Sequence, residues 1–198
     1  MPDTARGQTV IDFAIAMGVF LVAVAFVFTF IPSLTTPFVE GNQDRSVTAD
    51  RVASHLAEGA LGDPADPFVV DGACAEVFFD GSTDDGDIPA GCGYSGDTIH
   101  ERVGVDGDRL HVNVTIEQVD PDPDAPGDDR FRTVCTDDDT DGVTHNGMED
   151  CDGVSFVVGD VPTDRDSIVL ARRIVTIPDC EFGTGDDTCD ATLKVRVW

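Results

Sequence analysis

Residues 13–34 read FAIAMGVFLVAVAFVFTFIPSL, 22 consecutive positions without a charge. As an α-helix rising 1.5 Å per residue the stretch spans about 33 Å, against a bilayer hydrocarbon core of about 30 Å. It can cross a membrane, and the rest of the chain is read around it. A secretory signal would carry a shorter apolar stretch and then a small-residue cleavage site. Here the run passes instead into Pro32, Ser33, Leu34, Thr35 and Thr36. Arg6 lies on the short side and a large acidic region on the other, so the positive-inside rule places the C-terminal region outside the cell.

The remaining length, out of 198 residues, suits one ordinary domain. Twelve Lys+Arg stand against 39 Asp+Glu, for a formal charge of -27 and a pI near 4.1. Such a surface repels nucleic acid, so no nucleic-acid partner is expected. It suits either a disordered solvating chain or a folded protein whose self-repulsion is screened by a high-salt habitat. Hydrophobic residues make up 41% and alternate in β fashion later in the chain, which favours the folded, halophilic alternative.

Between the apolar run and the acidic region, Pro32, Pro37 and Gly41 are expected to kink or interrupt a continuous rod. Ala49, Val52, Ala53, Leu56, Ala57, Ala60 and Leu61 then repeat at i, i+3, i+4 and i+7 spacing, one face of an amphipathic helix over 46–61. Ser46 or Thr48 can cap its start, and Gly62 with Pro64 stops it. From 67 onward short apolar runs alternate with Asp, Gly and Pro. Over 98–119, Ile99, Val103 and Val105 precede Leu110, Val112, Val114 and Ile116, and Asp106-Gly107 reads as a two-residue hairpin turn setting Ile99 opposite Val114. Further strands are expected at 76–79, 154–158, 168–177 and 191–197. The fold class is α+β: a long N-terminal hydrophobic helix followed by an antiparallel β-rich globular head.

Six cysteines, Cys74, Cys92, Cys135, Cys151, Cys180 and Cys189, all follow the apolar run, as disulfides in an oxidising compartment would. Nearest-neighbour pairing is one of 15 connectivities. A zinc site is disfavoured by the absence of Cys-x-x-Cys. Asn113-Val114-Thr115 is an N-glycosylation sequon, and the hairpin register leaves Asn113 on a reachable polar face. Asp137, Asp139 and Asp141 with Gly142 resemble the front half of a calcium-binding loop, but Met148 stands where the bidentate acid belongs, with Glu149 one place late. Calcium is therefore set against a plain acidic surface, and no other cofactor is expected. The four histidines fall among polar residues and read as solvated. No nucleophile elbow, phosphate loop, dinucleotide fingerprint or metalloprotease motif occurs, so no enzyme is expected.

The junction Arg6-Gly7-Gln8-Thr9-Val10-Ile11-Asp12, directly ahead of the apolar run, resembles the class III signal peptide of archaeal type IV pilins. That resemblance implies cleavage by a prepilin peptidase between Gly7 and Gln8, leaving the helix on the mature chain. Asp12 stands at the fifth mature position, where the family usually carries Glu. It implies 1–7 as leader, 8–34 as transmembrane and assembly helix, 35–66 as kinked linker and neck helix, and 67–198 as the acidic extracellular head. The implied function is a pilin-like subunit, inserted in the cell membrane and assembled with other pilin subunits into a surface pilus or pseudopilus for adhesion or secretion. The resemblance covers roughly the first 40 residues. The alternative is a single-pass anchored extracellular domain that binds a ligand or calcium without assembling.

Overall fold

Long apolar side chains without a breaker before Pro32 make the first element one helix, α1 (Ala5–Val39). The computed structural model describes residues 5–39, 42–81, 84–119, 131–136, 143–145, 153–163, 167–180 and 188–198. Helix α1 continues through Pro32 and Pro37, where an interruption was expected. A proline ring holds φ near the helical value, and each one removes a single backbone bond. Within α1, Ile11–Phe30 is long and apolar enough to cross a membrane, and none of it is buried inside the chain. Phe26 and Phe30, one turn apart, stack at 4.2 Å between ring centroids.

The chain divides into two compact units, Met1–Gln43 and Asp44–Trp198. Helix α2 (Asn42–His55) leads into the second and ends in a π-turn, Leu56–Ala60, closed by the Leu61 N–H donating to Leu56 O at 3.2 Å. Ala49, Val52, Ala53, Leu56, Ala57, Ala60 and Leu61 are all buried, so the stripe expected of a neck helix lies inside the head's own core.

Two segments expected as strands are helical. In α3 (Gly72–Phe79), Asp71 caps the start by accepting from Cys74 N at 3.0 Å, and burial falls on Cys74, Ala75, Phe78 and Phe79. That period is helical, and a four-residue window over 76–79 is too short to reveal it. In α4 (Ile99–Val103), Thr98 Oγ1 accepts from Glu101 N while Glu101 accepts from Thr98 N, a complete capping box. The helix ends at Gly104, whose φ of +66° a β-carbon would disfavour. The hairpin across Asp106-Gly107 is thereby overturned. Ile99 and Val103 also sit at i, i+4, and the caps at both ends decide for the helix.

The sheet comprises β1 (Val112–Val119), β2 (Phe131–Thr136), β3 (Val143–His145), β4 (Val157–Gly159), β5 (Val169–Pro178) and β6 (Thr188–Val197). Its order is β3-β2-β1-β6-β5, all antiparallel, with β4 also paired to β1. One face, including Val112, Val114, Ile116, Leu193, Val195 and Val197, joins the helical stripe in a single core. Phe79 stacks on Phe156 at 4.9 Å, and Phe78 meets Tyr94 edge-on at 5.2 Å. The outer edge of β5 is partly covered: Val70 N donates to Thr176 O at 2.9 Å and Thr176 N to Phe68 O at 2.7 Å.

Candidate functional site

Gly7 and Gln8 belong to the backbone of α1, one turn ahead of Asp12. The Asp12 side chain is exposed and, among the described residues, makes no hydrogen bond or ion pair, as the acid beside a run of apolar side chains. A carboxylate so placed is costly in hydrocarbon unless it meets a cation. The helix itself is apolar on all sides: Phe13, Val19, Val22 and Phe28 are each more than 60% exposed. Such a helix is stable only when lipid or other helices cover it.

In the second unit, Cys74 is bonded to Cys92 and Cys180 to Cys189, both nearest neighbours in sequence. Cys135 is also disulfide-bonded and buried, while Cys151 lies outside the described residues. The first bridge ties α3 to the segment carrying Tyr94, whose hydroxyl donates to Cys74 O at 2.8 Å. Burial pushes the Tyr94 phenol up to about 12, with the nearby Arg102 cation opposing the shift.

Asn113 is on the face opposite the core, as the alternation requires, but only 3% exposed. Strands β4 and β6 flank it on both sides: its amide donates to Val158 O at 3.3 Å, and its Oδ1 accepts from Arg196 Nη1 at 2.8 Å and from Thr115 Oγ1 at 3.2 Å. The sequon is therefore not reachable in the folded head. A two-strand hairpin would have left this position open; a central strand closes it.

Asp137, Asp139 and Asp141 lie outside the described residues. Among the described residues no group of three or more His, Cys, Asp or Glu is arranged to hold a metal. Among the histidines, His111 Nδ1 meets Asp160 Oδ2 at 2.6 Å, and its ring stacks on Trp198 at 5.7 Å. Among the described residues no hydroxyl or thiol is bonded to its other nitrogen. His100 is half-buried on α4, its Nε2 without a partner among the described residues.

Two buried polar clusters went unread in the sequence. Arg102 is 3% exposed and donates from Nη1 to Val77 O at 2.9 Å and Phe78 O at 3.0 Å, and from Nε to Gly96 O at 3.0 Å. It supplies charge to the C-terminal carbonyls of α3, where the helix dipole favours a cation. On the sheet, Glu117 bridges Lys194 and Arg196. The Thr98-x-x-Glu101 spacing signals the cap that orients Arg102; nothing local signals its burial.

A model of a family of unknown function, DUF7287, matches residues 4–198, the apolar helix and the head together. No curated protein and no solved structure matches.

Proposed function

We propose that this chain, which belongs to the family of unknown function DUF7287, is a pilin-like subunit, membrane-inserted as a precursor and then assembled through its N-terminal helix into a surface filament. The observation that carries the reading is α1 with its junction. An uncovered apolar helix follows Arg6-Gly7-Gln8, with Asp12 as its one acid ahead of the run. Cleavage after Gly7 would leave a helix to Val39 about 48 Å long, well beyond the roughly 30 Å that anchoring requires. The surplus suits a helix that packs on its neighbours. One family model spans the junction, the helix and the head.

In this reading the prepilin peptidase frees the Gln8 amine, and Asp12 of one subunit pairs with the amine of another, relieving the cost of a lone carboxylate in an apolar bundle. The head stands outside the cell. Its acidic surface suits high salt, and its disulfides suit an oxidising exterior. No catalytic role and no cofactor is assigned.

The test is co-expression with a prepilin peptidase followed by sequencing of the mature N-terminus. A start at Gln8, abolished by Gly7→Leu, is expected; any other start removes the processing step. Asp12→Ala should be cut normally yet give few filaments by electron microscopy. An uncut chain remaining as dispersed single copies would favour an anchored extracellular domain instead.

A further inference from the structure

The face of the sheet turned away from the core has an unusual composition. By register, Val119 sits beside Phe131, Val157 beside Thr115, Leu170 beside Arg196, and Ile174 beside Thr192. Val119, Phe131, Val157, Leu170 and Ile174 are 40–71% exposed, with Ile174 the most. The solvent side of an antiparallel sheet is ordinarily polar, and apolar side chains gathered on it mark a contact surface.

The charge of this face is equally out of keeping with the chain. Arg172, Lys194 and Arg196 all lie on it by register, in a protein with 12 basic residues against 39 acidic ones. Glu117 holds Lys194 and Arg196 in place, and the Lys194 ammonium lies over the Phe131 ring at 4.6 Å. Arg172 is exposed, and among the described residues no carboxylate pairs with it. Between Phe131, Arg172, Arg173, Ile174, Thr192 and Lys194 the surface dips into an open hollow of about 300 Å³.

We infer that this face is a subunit contact, and that its occupant is the acidic surface of a second copy of the same chain. The inference rests on the assembling-subunit reading above. Copies carrying a formal charge of -27 repel one another wherever like surfaces meet. Assembly therefore needs one surface that accepts carboxylates, and Arg172 above an apolar hollow is such a surface. At about 1 M salt the screening length is only about 3 Å, so long-range repulsion fades while ion pairs in contact persist beside buried apolar side chains. A basic, apolar face meeting an acidic one is a heterologous contact. Repeated from copy to copy, it extends a filament instead of closing a dimer.

The experiment places the photo-crosslinker p-benzoylphenylalanine at Ile174 of the full-length chain in the membranes of expressing cells, with Glu58 as an exposed control position. The expected product is an adduct of two identical chains, mapping from position 174 to an Asp- or Glu-bearing peptide, and absent from the control. Arg172→Glu, at a side chain without hydrogen bonds of its own among the described residues, should lower the yield at least about fivefold, as loss of a contact charge pair does. No adduct, an adduct to lipid or to another protein, or one joining position 174 to position 174 overturns the inference. The mature N-terminus, sequenced on the same sample, separates the two claims. A cut chain without the adduct sinks only the contact, and an uncut chain with it sinks only the pilin processing.

Discussion

Arg102 Nη1 donates to Phe78 O at 3.0 Å, joining α4 to the last turn of α3 across 24 residues of sequence. The same guanidinium reaches Val77 O and Gly96 O and lies 5.8 Å from the centroid of the Tyr94 ring. One cation thus closes a helix end, a loop and an aromatic contact within the disulfide-linked part of the head.

Removing that cation should leave three carbonyls in a site that water reaches poorly. Arg102→Leu is expected to destabilise the head by about 2–4 kcal/mol, the range for buried groups deprived of their partners. Arg102→Lys should recover only part, because an ammonium lacks the planar fork. Urea unfolding of the full chain in detergent, followed by the fluorescence of Trp198, the one tryptophan, measures both.

Tyr94 predicts an alkaline dependence of stability. Its phenol titrates near 10 in the unfolded chain and about 12 in the folded one. Below pH 10 both states keep the proton and stability is unaffected. Above it the unfolded chain loses the proton first, so stability falls as pH rises toward 12. Between pH 9 and 11 the native chain should lose about 1 kcal/mol more than Tyr94→Phe, one pKa unit being worth about 1.4 kcal/mol. Equal slopes for the two proteins would refute the assignment.

Gly159 has φ of +93°, and a β-carbon there would run into the carbonyl of Val112 on the neighbouring strand. Gly159→Ala should cost about 2 kcal/mol or more through strain and the clash together. The change should appear as a lower urea midpoint with an unaltered slope.

Asn113 should carry no glycan. With its amide bonded to β4 and its carbonyl to Arg196, a sugar there would have to displace both partners. Peptide mapping by mass spectrometry of the protein from its membrane, before and after chemical deglycosylation, should find the peptide holding Asn113 at its unmodified mass. A glycan found there would mean that modification precedes folding and that β4 packs elsewhere.

The parts legible in the sequence are those where one short segment settles its own state. The uncharged run over 13–34 can only be a helix that seeks a cover, and α1 contains it. The stripe from Ala49 to Leu61 is buried residue by residue. Leu193, Val195 and Val197 alternate inward from β6. At 99–103 the alternation fits strand and helix alike, and the capping pair Thr98 and Glu101 carried the answer.

What the sequence by itself determined, then, is an apolar helix joined to an acidic α+β head, together with the Arg6-Gly7-Gln8 junction on which the proposed processing rests. The tertiary structure alone decided that Asn113 is closed off, that Arg102 is buried, and that basic and apolar side chains share the outer face of the sheet. Each of these depends on partners far along the chain: Val158 lies 45 residues from Asn113, Arg196 lies 83, and Phe78 lies 24 from Arg102. Periodicity reports which way a side chain points. Whether something covers it there depends on which strands come to lie beside it.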